Sequence, residues 1–259
     1  MRYGRRVGNT ALIVASAFAF SSVPGHAAEP PAGLLRKIAE RELRTSQARD
    51  NYTYRQSVTV EEFNKNGGVA GRFHEVRDIT FAPNEARYEK VIEPARNSMT
   101  RIQLTPEDFA DIQNIQPFLL TPDAVPLYQG QYKGEETMDG VRCFVEFIRP
   151  RQILATQRFF EGLLWVRESD LAIIRSEGKA VPEIETLREQ NLFPHFTTIR
   201  HEIDGKWLFP VETYADDTLY FRSFPQRIRI VIRYADYKRF GADSTVTFGD
   251  TPPSPKPRN

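Results

Sequence analysis

The sequence predicts a mainly β protein with a few helices, an α+β chain in which a single large antiparallel sheet curls into an unclosed β-barrel and helices cover its concave side. Three observations carry this. Strand-like stretches succeed one another from residue 52 to residue 248, with turn residues between them. Two of the turns are Asp-Gly pairs, Asp139-Gly140 and Asp204-Gly205, a strong two-residue hairpin signal. Finally, strands 159–167 and 171–179, joined by Glu168-Ser169-Asp170, are apolar on both faces. Phe160, Leu164 and Val166 share one face of the first arm, and Phe159, Leu163 and Trp165 the other. A half-wet strand would alternate apolar and polar residues, so this hairpin must be covered twice.

The N-terminus reads as an export signal. Arg2, Arg5 and Arg6 form a basic start, residues 11–20 a short apolar run, and Gly25 and Ala27 stand at the −3 and −1 places of a cleavage site. Ten apolar residues are too few to span a hydrocarbon core of ~30 Å. Residues 1–27 are therefore expected to be a cleaved signal peptide, residues 28–248 one half-barrel domain, and the proline-rich tail 249–259 disordered. No cysteine follows the cleavage site, so a soluble, periplasmic protein without a lipid anchor is expected. The chain holds 35 Lys+Arg against 34 Asp+Glu. Without the three signal arginines this becomes 32 against 34, which gives no electrostatic reason to expect nucleic acid. A monomer is expected. Cys143 is the one cysteine and permits no intramolecular disulfide; inside VRCFVEF it reads as a small buried hydrophobe.

Taken in order, residues 32–49 place Leu34, Leu35, Ile38, Ala39 and Leu43 at helical spacing, with Arg and Glu on the remaining positions. Strands follow at 52–63 and 69–81 around an Asn/Gly-rich loop, and at 86–92. The main interruption is 105–126. Thr105 can N-cap, Pro106 suits the first helical position, and Glu107 and Asp108 favour a helix start. Phe109, Ile112 and Ile115 fall on one helical face, and after Pro117 come Phe118 and Leu119. The segment reads either as a cover over the sheet or as an ordinary packing helix. Strands then come at 128–137, 141–150, 159–167 and 171–179. An irregular link over 180–194 leads to strands at 195–203, 206–213, 227–233, 234–240 and 245–248. A meander of this length must curl or close to manage its edges.

No catalytic constellation emerges. His74, His195 and His201 have no metal-ligand spacing, and no nucleophile elbow or phosphate loop is present. No metal, cofactor or enzymatic activity is expected. The acid pairs Glu61-Glu62, Glu135-Glu136 and Asp216-Asp217 read as solvated, although a hydrolase assembled from distant carboxylates stays open. The chain does offer apolar surface. Phe144, Ile148, Phe160, Leu164, Val166 and Ile173 are the candidate wall of a ligand cavity, and Phe109, Ile112, Ile115, Phe118 and Leu119 its candidate lid. For each wall residue taken alone, a place in a dry, filled core is the better reading. Together, a curved sheet with a helical plug suits an acyl chain.

Several segments resemble the LolA/LolB-like periplasmic lipoprotein-carrier superfamily, in particular its outer-membrane lipoprotein-sorting relatives. They are YTYRQ from Tyr52, YKGEETMDGVRCFVEFIRP from Tyr132, GLLWVRESDLAIIRSEG from Gly162, HEIDGKWLFPVET from His201 and YADYKRFGADSTV from Tyr234. The resemblance implies an unclosed barrel with a helical lid over a hydrophobic cavity that receives acyl chains of lipids or lipidated proteins. It also implies a membrane-associated donor and acceptor. The alternative is an envelope interaction module acting through its sheet edges.

Overall fold

The computed structural model describes residues 31–81, 87–154, 157–185 and 190–240. The expected signal peptide, the strand at 245–248 and the tail 249–259 lie outside them. Helix α1 (Leu34–Arg49) leads into strands β1 (Tyr52–Phe63), β2 (Val69–Phe81) and β3 (Arg87–Asn97). Helix α2 (Pro106–Asn114) and a 3-10 turn (Val125–Leu127) precede β4 (Tyr128–Met138), β5 (Val141–Pro150), β6 (Phe159–Arg167) and β7 (Ile173–Val181). A small hairpin, β8 (Ile184–Glu185) with β9 (Gln190–Asn191), links these to β10 (Phe196–Ile203), β11 (Trp207–Tyr220) and β12 (Pro225–Arg239).

Ten of these strands form one antiparallel sheet in the order β3-β2-β1-β12-β11-β10-β7-β6-β5-β4. Edges β3 and β4 are not paired to each other, so the expected unclosed barrel is what the chain builds. Both Asp-Gly turns hold left-handed backbone, with φ of 50° and 81° at Asp139 and Gly140 and of 52° and 63° at Asp204 and Gly205. That geometry matches the strands' twist. Gly162 and Gly178 face each other across β6 and β7, where a Cβ on either would stand 2.1 Å from a backbone carbonyl oxygen of the opposite strand. A side chain there would force the two strands apart.

Several element boundaries differ from expectation, β3 among them, which runs on to Asn97 instead of ending at 92. β11 runs on to Tyr220 instead of ending at 213, and β12 is one strand where two were expected, at 227–233 and 234–240. In β12 Asp236 takes up a positive φ of 56° without ending the strand. β7 begins at Ile173 because Leu171, at φ 60°, still belongs to the turn. Helix α1 buries Leu34, Ile38 and Ala39 as its spacing predicts, but Leu43 of the same expected stripe is exposed, while Arg41, Glu42 and Thr45, off that stripe, are buried.

The double cover of the 159–181 hairpin has a simple form. Phe160, Leu164, Val166 and Ile173 belong to the main core inside the curl. Outside it, Trp165 packs with Cys143 and Val145 in a small second cluster. Arg175 lies over the indole at 4.9 Å and Glu136 accepts from its Nε1 at 2.7 Å. Cys143 is buried there, and desolvation pushes its thiol pKa up.

Candidate functional site

One end of the curl stays unfilled. Where β1, β12 and β11 reach that end, their inner faces present Val60, Ile230, Ile228 and Leu219. Val60 and Ile230 are directly paired, so the strand alternation that builds the core also builds this wall. Opposite stand Ile102, Leu104 and Ile112 from the β3–β4 connection, and Leu192 and Phe193 from the link before β10. Together they enclose a cavity of about 560 Å³, with Arg101, Arg222, Ser223 and Phe224 at its rim.

Polar groups hold the opposite wall in place. Glu62, fully buried, accepts from the backbone N–H groups of Thr100, Arg101 and Ile102 at 2.8, 2.9 and 3.0 Å. Its expected place in solvent is therefore corrected: the carboxylate fixes the strand-like run that carries Ile102. Its neighbour Glu61 is equally withdrawn and meets Arg72 at 2.6 Å and Arg229 at 3.5 Å. Asp216, of a second pair assigned to solvent, is held by Arg227 at 2.7 Å and Arg229 at 3.1 Å, which keep its pKa below the usual carboxylate range.

Helix α2 starts with the capping box its sequence predicts. Thr105 Oγ1 accepts from Asp108 N at 3.4 Å, and Asp108 returns the bond to Thr105 N at 2.7 Å. Asn191 Nδ2 donates to both side chains at 3.0 Å, tying β9 to the helix start. Burial raises the Asp108 pKa against the lowering effect of these bonds. Further along, Asp111 is buried and receives Arg158 at 2.5 Å. Burial raises its pKa too, with Arg158 opposing.

Of the candidate lid, Ile112 lines the cavity. Phe109 packs edge-on against Phe73 with ring centroids 5.7 Å apart. Ile115 and Phe118 are buried in the main core, and Leu119 is half-buried. The candidate wall, Phe144, Ile148, Phe160, Leu164, Val166 and Ile173, is brought together inside the curl, all six side chains in the same core. None of the six borders the cavity. Phe118 stacks on Phe160 at 4.7 Å and meets Tyr128 edge-on at 5.8 Å, filling the space beside them. The segment after α2 is thus a plug over β4–β7, while the cavity lies towards β1, β12 and β11.

A buried ion pair holds the plug. Glu42 of α1 and Arg200 of β10 meet at 2.6 Å with both side chains fully buried. Arg200 also donates to the Phe118 carbonyl, and Glu42 accepts from Ile173 N at 3.4 Å. Neither residue has a local sequence signal for burial, being 158 positions apart. Among the described residues, no three His, Cys, Asp or Glu side chains converge as a metal site.

Neither a protein-family model nor a curated protein matches the sequence. Solved structures do. A DUF1329 family protein from Desulfovibrio piger is 16% identical, with a TM-score of 0.40 over 81% of this chain and 93% of its own. A LolA superfamily protein from Nitrosomonas europaea is 13% identical, at 0.36 over 80% and 94%. A domain from Vibrio parahaemolyticus named for outer membrane lipoprotein sorting is 9% identical, at 0.37 over 81% and 95%. These are distant likenesses of fold, and what the cavity holds must come from its own chemistry.

Proposed function

We propose that the protein is an exported, soluble carrier or chaperone that binds the acyl chain of a lipid or lipidated protein, without carrying out chemistry. In this reading residues 1–27 are a cleaved signal peptide and residues 28–248 act as one periplasmic unit. The supporting observation is the cavity itself, about 560 Å³ with a mainly aliphatic and aromatic wall; Arg101, Arg222 and Ser223 stand at its rim, and the polar wall groups Thr105, Asp108 and Asn191 are hydrogen-bonded to one another. That volume falls within the ~300–1,000 Å³ of small-molecule sites. Each methylene withdrawn from water contributes about 0.8 kcal/mol, enough for an alkyl chain to bind by burial alone.

The test is displacement of a fluorescent fatty-acid analogue from purified protein by palmitate, in solution without vesicles. Binding is expected, and Leu219→Lys, which puts a charge into the wall, should weaken it by about tenfold or more. Wild-type protein that binds neither probe would overturn the reading. A second reading, partner binding by strand addition, has one observation in its favour. Edge strand β3 leaves Tyr88, Val91 and Ile92 exposed. The same strand carries Pro94 and alternating charges, which blunt such pairing.

A further inference from the structure

We infer that the β11–β12 tip is a membrane-docking element and that its partner is an anionic lipid bilayer. This goes beyond the carrier reading, because it concerns the outer surface of the rim and not the cavity. β11 leaves the sheet at Tyr220 and β12 re-enters at Pro225, directly opposite, so residues 221–224 form the short turn between them. Tyr220 is 77% exposed, and Phe224 also stands in solvent, its ring 6.1 Å from that of Phe221. Exposed tyrosine and phenylalanine rings cost free energy in water and are favoured at a membrane interface, where the phenol keeps its polar end wet.

The antiparallel pairing sets what lies beside this tip. The 64–68, 98–127, 151–158 and 182–195 connections leave the sheet at the same end. There Val69, Leu127, Ile153 and Leu154 are also exposed, so apolar side chains crowd one end of the barrel. Among the described residues of these loops, the exposed charges are Lys65, Arg101, Arg151 and Arg222 against Asp123 and Glu183. The described exposed charges of this end are thus positive on balance, which favours an anionic surface. Phe221, Arg222 and Phe224 belong to the cavity rim as well, so docking brings the opening against the lipid headgroups.

Co-sedimentation of the purified protein with extruded vesicles tests this, comparing phosphatidylglycerol–phosphatidylethanolamine with pure phosphatidylcholine. Binding to the anionic vesicles is expected, weakening as salt is raised. The double variant Tyr220→Ser, Phe224→Ser should bind them about tenfold more weakly. Tyr214→Ser, which removes another exposed tyrosine, from mid-strand, should bind as the wild type does. Wild-type protein that stays in the supernatant would overturn the inference, as would a double variant that sediments unchanged. Tyr220 is not part of the cavity wall, so Tyr220→Ser should leave fluorescent fatty-acid binding intact while reducing vesicle binding. Leu219→Lys should do the reverse, which separates failure of docking from failure of the carrier reading.

Discussion

Glu146 stands on the inner face of β5 between Phe144 and Ile148, which both belong to the main core. Its Oε2 meets no donor among the described residues, and neither does the buried hydroxyl of Tyr132, its partner across the ladder. Gly130 makes room for it: a Cβ there would fall 2.2 Å from Oε1. With no cation beside it, burial pushes the Glu146 pKa up to about 7 from an ordinary 4.5. The folded protein thus holds this proton more tightly than the unfolded chain does. The neutral acid's contribution to stability is present below about pH 4.5 and is lost as pH rises through about 7. Glu146→Gln keeps the shape and removes the charge. It should stabilise by roughly 1–2 kcal/mol at pH 8 and by much less near pH 4.5. Thermal melts across that range check it, and a difference that does not change with pH would contradict it.

At the scale of elements, α2 depends on a cap shared with another segment. Thr105 Oγ1 both accepts from Asp108 N and receives Asn191 Nδ2. Thr105→Ala should therefore cost about 1 kcal/mol. It should also raise hydrogen exchange in residues 105–114 and in residues 190–194 together, and a rise confined to the helix would sink the coupling. The sequence Thr105-Pro106-Glu107-Asp108 spelled out this helix start, as the Asp-Gly pairs spelled out their turns, because such signals are settled within a few residues. Alternation along the strands likewise told inner from outer side chains. It did not tell how far along each strand the inner space is filled. That depends on where Phe118, brought in from a distant segment, lays its ring. The six wall candidates therefore lie in the filled core, where Phe118 stacks on Phe160, while Val60, Leu219, Ile228 and Ile230 border the cavity. Glu62 eluded a local reading for a related reason. Its burial is set by backbone N–H groups at 100–102, 38 to 40 residues away.

Across the whole molecule, the Glu42–Arg200 pair joins α1, β7, β10 and the plug at one point. Arg200→Met strands a buried carboxylate and should cost about 3–5 kcal/mol in urea unfolding. Adding Glu42→Leu should restore much of the loss, and a double variant as unstable as the single would contradict the pairing. The sheet order has a consequence of another kind. β1, the first strand, is paired along nearly its whole length with β12, the last, and Phe240 N donates to the Asn51 carbonyl at 3.1 Å. A chain delivered in order from its N-terminus makes β1, β2 and β3 early but cannot seat them until the 15 residues of β12 arrive. For that interval the three-stranded piece holds Tyr54, Val58 and Val60 towards a core that does not yet exist. Pairing of β12 with β1 is what joins the two parts of the open sheet, and the wait before it is when the chain most needs protection from its neighbours.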